Sequence, residues 1–147
     1  MKIGIANDHR GIETKQKLTE YLTNKGYDVV NYGTNTEGRV DYTTYGFIIG
    51  EKVASHEVDY GIAICGSAIG ISIACNKVKG IRCAKVSNKE EAHVTRIDNN
   101  SNIVAFSEKL SEIEALEVVK TFIETEASLE EKHTRRVNKI ITYEENN

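Results

Sequence analysis

Short apolar runs alternate along the chain with longer stretches in which apolar positions recur at helical spacing. The runs near residues 2–7, 27–32, 59–65, 81–86 and 102–106 predict strands. Between the first two, the stretch from Gly11 to Asn24 carries Ile12, Leu18, Tyr21 and Leu22 on one helical face, and Gly26 follows where a helix would end. Further helices are predicted over 43–56, 69–77, 88–97 and 110–125, the last with Leu110, Ile113, Leu116, Val119 and Ile123 aligned. A charged segment from Glu130 to Arg136, followed by Val137, Ile140 and Ile141, predicts one more helix as a C-terminal tail. Strands and helices joined by short connections favour an α/β domain on a parallel sheet.

Composition narrows the function classes. At 147 residues the chain suits a single domain, 1–147, with an ordinary core that needs neither disulfides nor metal. The net charge of -3, with no basic cluster interleaved with aromatics, argues against nucleic acid. Cys65, Cys75 and Cys83 are odd in number and lack C-x-x-C spacing, which reads as reduced intracellular thiols with no zinc site. Met1 runs directly into the first strand without signal-peptide anatomy, and the uncharged stretch around Cys65 is too short to span a bilayer. The expectation is a soluble cytoplasmic protein with no membrane contact. Proline is absent, so turns must use Gly, Asn and Asp.

The candidate chemistry gathers where strands would end. Ligands of open α/β sheets bind beyond the carboxyl ends of the strands. Three loops would converge there: Asn7 to Gly11, Gly33 to Tyr45 and Cys65 to Ser72. Cys65 ends an apolar run and opens a glycine-spaced turn into a helix, a setting that favours thiolate and gathers negative charge in a ligand. Read alone, it also fits a small buried hydrophobe, the reading kept for Cys75 and Cys83. Gly66 and Gly70 would let backbone approach a ligand, and Ser67 and Ser72 add hydroxyls. Asp8 suits a helix N-cap as well as acid–base work, and His9 stands beside it. The turn lacks the Gly-Lys-Ser/Thr ending of a P-loop, and the first βα turn lacks G-x-G-x-x-G, so no nucleotide cofactor is expected. Asp98 and Asn99 precede the fifth strand. They should lie at the amino ends of the strands, either as a polar Asn-rich turn or as a group reaching a neighbouring subunit's site.

Together these motifs resemble the ribose-5-phosphate isomerase B and galactose-6-phosphate isomerase family over nearly the whole chain. The resemblance is carried by Asp8-His9-x-Gly11, Gly33-Thr34, Asp41-Tyr42, Cys65-Gly66-Ser67-x-x-Gly70-x-Ser72-x-x-x-Asn76-Lys77, Gly80-Ile81-Arg82, Asn99-x-x-Asn102 and His133-x-x-Arg136-Val137. It implies a three-layer α/β/α Rossmann-like sandwich on a five-stranded parallel sheet. The implied activity is aldose–ketose isomerisation of a phosphorylated sugar without metal or other cofactor. Cys65 would move a proton between C1 and C2, Ser67 would shuttle one between the oxygens, and Gly66 to Gly70 would stabilise the enediolate with help from Asn99 of a second subunit. His9, Tyr42, Ser72, Lys109, Lys132 and Arg136 would hold substrate, its phosphate above all. The family implies a homodimer with shared sites, and pairing of dimers into tetramers is left open.

Four positions depart from the family pattern. Ser67 stands where threonine is common, and Lys109 and Lys132 stand where many members carry arginine, which grips phosphate with two prongs rather than a point charge. Asp98 occupies the position of a histidine implicated in opening the furanose ring, which leaves Asp8 as the stronger ring-opening candidate. Ribose 5-phosphate to ribulose 5-phosphate is the default reaction. Galactose or allose 6-phosphate, a tetrose phosphate, a non-catalytic sugar-phosphate-binding subunit and a flavodoxin-like or receiver-like binding domain are the alternatives.

Overall fold

Large and small apolar residues alternate along the central strands, and the alternation decides how closely each helix layer sits. The computed structural model describes residues 1–147. The chain runs β1 (Lys2–Asn7), α1 (Ile12–Asn24), β2 (Asp28–Asn31), α2 (Tyr42–Ala54), β3 (Tyr60–Cys65), α3 (Ile69–Asn76), β4 (Cys83–Lys85), α4 (Lys89–Asn99), β5 (Ile103–Ser107), α5 (Glu112–Glu124) and α6 (Glu131–Glu145). The five strands are all parallel, in the order β2-β1-β3-β5-β4. The expected three-layer sandwich with a helical tail is therefore present. No helix is long and apolar enough to cross a membrane.

On one face Ile3, Ile5, Ile62, Ile64, Val104 and Phe106 pack against Leu18 and Leu22 of α1, Ala92 of α4, and Val118 and Phe122 of α5. The opposite face presents Ala6, Ala63, Cys65 and Ala105 to Ile49 and Val53 of α2 and to Ile71 and Cys75 of α3. Smallness on this second face is required by proximity. A Cβ on Gly4 would lie 2.7 Å from Ile49 Cδ1, and one on Gly46 would lie 2.6 Å from Ala74 Cβ. α2 and α3 thus press closely on the sheet and on each other. β2 lies on one side of β1 and β3 on the other, so the chain reverses its direction of travel between β1 and β3. A ligand crevice forms at such a switch point, and Asn7 and Cys65 end the two strands that flank it.

Several boundaries differ from expectation for identifiable reasons. β4 is shorter than 81–86 because Ile81 closes a turn by donating its N–H to Val78 O at 3.2 Å. α5 starts at Glu112 rather than 110 because Ser111 and Glu114 form a reciprocal capping box. α4 continues through Asn99, ending at Asn100 in the left-handed region (φ 46°). Asp98 and Asn99 are consequently helical residues and not part of a turn.

At the free edge of β4, the Asn76 carboxamide donates to Cys83 O at 2.9 Å and accepts from Cys83 N at 2.8 Å. This clasp ties the end of α3 to β4. It also places Cys75 against Cys83, whose thiol is pushed well above its usual range by the hydrogen bond with Cys75 and by burial. Both thiols are free, Cys75 fully buried and Cys83 half-buried.

Arg96 secures the other end of the fold. Its guanidinium donates to Thr125 O (2.9 Å), Ser101 O (2.6 Å) and Asn100 Oδ1 (2.8 Å), and it lies 4.8 Å from the Tyr60 ring centroid. No carboxylate pairs with it, and burial pushes its pKa down from the usual arginine value. One side chain thus ties α4, the start of β5 and the end of α5 together, and thereby sets where Asp98 and Asn99 stand. Arg96→Ala should cost about 3 kcal/mol, because buried carbonyls lose their donor. Arg96→Lys should recover little of it, since one ammonium cannot span three acceptors. Urea unfolding of both variants measures this.

Candidate active site

β3 leaves the sheet at Cys65, and the next three residues turn the chain into α3. Ala68 caps that helix in the left-handed region (φ 66°, ψ -3°), an uncommon conformation for a residue with a Cβ. The turn places the Ala68 N–H 3.1 Å from Cys65 Sγ and the Ile69 N–H 3.1 Å from Ser67 Oγ. The N–H groups of Gly66, Ser67, Gly70 and Ile71 donate to no acceptor in the protein. A buried thiol and an exposed hydroxyl therefore border a set of unpaired backbone donors, an arrangement suited to negative charge on a ligand.

The β1–α1 loop closes against this turn. Asp8 donates its N–H to Ile64 O at 3.2 Å, and its Oδ1 accepts from Arg10 N at 2.9 Å. The residue capping α1 is Gly11, with no side-chain cap. Asp8 is thus not the helix N-cap that its position in the sequence allowed, and its second carboxylate oxygen makes no hydrogen bond within the chain. His9 Nδ1 accepts from Val40 N at 3.2 Å, which places the proton of a neutral ring on Nε2. The Tyr42 ring lies against Gly70, where an added Cβ would come within 2.6 Å of Tyr42 Cζ. Asp8, His9, Tyr42, Cys65, Gly66, Ser67 and Gly70 are therefore brought to one crevice. Ser72 follows in α3, but its hydroxyl is spent on Ile69 O at 2.8 Å. Lys109 follows β5 at the same edge of the sheet.

The remaining candidates lie elsewhere. Asn99 Oδ1 accepts from Thr95 Oγ1 at 3.0 Å, and Asp98 Oδ1 is 3.4 Å from His133 Nε2. Lys132 pairs with Glu130 at 3.6 Å, and Arg136 is exposed without a salt bridge. All four belong to the end of α4 and the start of α6, at the amino ends of the strands, as expected for Asp98 and Asn99. The six residues of β3 put roughly 20 Å between this group and the Cys65 turn. A cavity of about 920 Å³ opens at this end, lined by Asn99, Arg82, Ile81, Ile140 and Tyr143 among others.

Several contributors carried no signal in the sequence pattern. Asn7 donates to Asp8 O (2.8 Å) and Thr34 O (3.2 Å), over Gly33, where a Cβ would fall 1.9 Å from Asn7 Oδ1. Lys15, buried without a carboxylate, donates to Thr34 O and Asn35 Oδ1 at 2.6 Å each. Burial pushes its pKa down from the usual lysine value. Arg10 passes over Gly66 and meets Glu108 at 3.3 Å, and Ser107 Oγ donates to Gly66 O at 2.5 Å. Each joins residues far apart in the chain, which local spacing does not report.

Comparison with known proteins places this geometry. A family model described as Ribose/Galactose Isomerase matches residues 3–140. The putative sugar phosphate isomerase YwlF of Bacillus subtilis is 41% identical over 100% of this chain and 99% of its own. The structure of ribose-5-phosphate isomerase B from Clostridium thermocellum superposes with a TM-score of 0.95 at 41% identity, covering 99% of both chains. That of ribose-5-phosphate isomerase B from Mycoplasma genitalium with bound ribulose-5-phosphate gives a TM-score of 0.94 at 34% identity, covering 99% of this chain and 97% of that one. With the family model matched almost end to end and the fold shared at this identity, the chain belongs to the ribose/galactose isomerase family.

Proposed function

We propose that this chain is an aldose–ketose isomerase that interconverts ribose 5-phosphate and ribulose 5-phosphate. The observation that carries the reading is the Cys65 thiol bordered by the unpaired N–H groups of Gly66, Ser67, Gly70 and Ile71. A relative from Mycoplasma genitalium, similar over nearly the whole chain, has ribulose-5-phosphate bound. Asp8, with one carboxylate oxygen free, assists opening of the furanose ring. Cys65 then takes the proton from C2 of the open aldose. The C–H electrons form a C1–C2 double bond while the carbonyl electrons move to O1. The backbone donors hold the resulting enediolate, preorganised for charge that develops only as the reaction proceeds. Ser67 carries a proton from O2 to O1, and Cys65 returns its proton to C1, leaving the ketone at C2.

The far group belongs to this chemistry through a second copy of the chain. α3 exposes Ile69 (57%) and Ile73 (56%), and α6 exposes Ile140 and Tyr143 beside the cavity at the amino ends. Exposed apolar residues on α3 and α6 and a partly apolar cavity suit a two-fold dimer, in which each chain supplies Cys65 to one site and Asn99, Lys132 and Arg136 to the other. Phosphate would then be held by His9 and Lys109 of one chain and the basic start of α6 of its partner. A second reading, an isomerase of a hexose or tetrose phosphate, draws on Asp98, whose carboxylate already engages His133. Relative kcat/KM across ribose, allose, galactose and erythrose phosphates decides between them, and the largest value identifies the substrate.

Cys65→Ala should lower kcat by roughly 10²–10⁴-fold with KM little changed; parental turnover in this variant would refute the assignment. Mixing inactive Cys65→Ala with inactive Arg136→Ala under conditions that exchange subunits should restore about a quarter of parental activity, because half the dimers are mixed and each has one intact site. No recovery would refute shared sites. Gly70→Ala should displace the Tyr42 ring and lower kcat/KM by about tenfold through misplacement of the substrate, as steady-state kinetics would show.

A further inference from the structure

Two successive peptides leave β3 with their carbonyls tied to the same neighbour. In a regular strand, successive carbonyls point to opposite sides, so that after Cys65 O turns to β5 the next carbonyl would turn to β1. Cys65 O does turn to β5, accepting from Glu108 N at 3.0 Å. Gly66 O does not alternate, because Ser107 Oγ, on the residue in register with Cys65, captures it at 2.5 Å. The direction of this bond is settled by a second one. Lys109 N donates to Ser107 Oγ at 3.1 Å, and a backbone N–H can only donate, so the hydroxyl hydrogen is free for Gly66 O.

No peptide bond in the chain is cis. In a trans peptide the N–H points opposite to the C=O. Holding Cys65 O and Gly66 O toward β5 therefore turns the N–H groups of Gly66 and Ser67 together toward β1, on the far side of β3. That is the side of the crevice carrying Asp8, and neither N–H has an acceptor in the protein. A regular strand would have offered only one of the two.

We propose that Ser107 is a positioning residue for the isomerase reaction: by fixing the Gly66 carbonyl it flips the Gly66–Ser67 peptide and aims the Ser67 N–H, alongside that of Gly66, at the negative charge of the enediolate. Ser107 touches no reacting atom and works through the peptide it holds. The inference rests on the isomerase reading above, and it adds a residue whose role lies in the transition state and not in substrate binding.

The test compares Ser107→Ala, Ser107→Thr and Cys65→Ala with the parent by steady-state kinetics on ribose 5-phosphate, with melting temperatures measured in parallel. Ser107→Ala should lose roughly 10- to 100-fold in kcat, with KM within about twofold, because the donor matters most where charge has developed. Ser107→Thr keeps the hydroxyl and should recover most of the loss. A Ser107→Ala variant with parental kcat, a loss that appears in KM instead, or a loss that threonine does not recover would each overturn the proposal. If the parent itself shows no turnover, or Cys65→Ala matches an active parent, it is the isomerase reading or its thiol base that fails. An active parent, an inactive Cys65→Ala and an unaffected Ser107→Ala overturn the Ser107 role alone.

Discussion

Backbone donors left without acceptors set the terms for the rest of this structure. The first N–H groups of a helix have no acceptor within it, and the turn after Cys65 leaves four of them without an acceptor in the protein, at a crevice where Gly66 and Gly70 are half-buried and Ser67 is exposed. The surroundings fix the direction in which these donors point. Ala68 is held at positive φ, a conformation that costs of order 1 kcal/mol for a residue with a side chain. Its N–H is drawn to the Cys65 sulfur, and the carbonyls on the other side are held by Ser107 and Glu108. The strain is local, and its counterweight is the fully buried sheet on either side.

The small-residue face of that sheet extends the same logic outward. Gly4, Gly46 and Gly61 allow α2 to lie against β1, β3 and α3 at distances where an added Cβ would force its neighbours to shift. That proximity carries Tyr42, the first residue of α2, onto Gly70 in the first turn of α3. The loop before α2 meanwhile meets His9 through Val40. Close helix packing in the core thus becomes side-chain placement at the crevice. The opposite face, filled with Ile62, Ile64 and Phe106, holds its helices through bulk instead and contributes mainly stability.

Much of this was legible along the chain. Alternation of apolar runs with helical spacing located all five strands and all six helices, and the glycine-spaced block after Cys65 pointed to the crevice. The position of Asn99 between a helix and the fifth strand placed it at the amino side of the sheet. What could not be read were the long-range partners. Ser107 meets Gly66 across 41 positions, and Arg96 meets Thr125 across 29. A serine ending a strand and an arginine within a polar helix look locally like many others. The left-handed Ala68 was equally hidden, since residues with a Cβ seldom take positive φ and nothing beside Ala68 in the sequence marks it as an exception. Boundaries erred where side-chain caps or turns intervened, as at Ser111 and Ile81, because apolar periodicity is blind to hydrogen bonds.

The Asn76 clasp has a consequence for how the protein behaves in a crowded solution. β4 is the outermost strand on its side, and an open strand edge is a template on which a stray extended segment can pair. Cys83 sends both its N–H and its C=O to the Asn76 carboxamide. The polar pair that would have invited another strand is thus already occupied by a side chain imitating a peptide. The strand is only three residues long, and it ends at Lys85, whose charge discourages a further strand. One asparagine therefore blocks the start of the β4 edge against intermolecular pairing, a local protection that neither the helices nor the core provides.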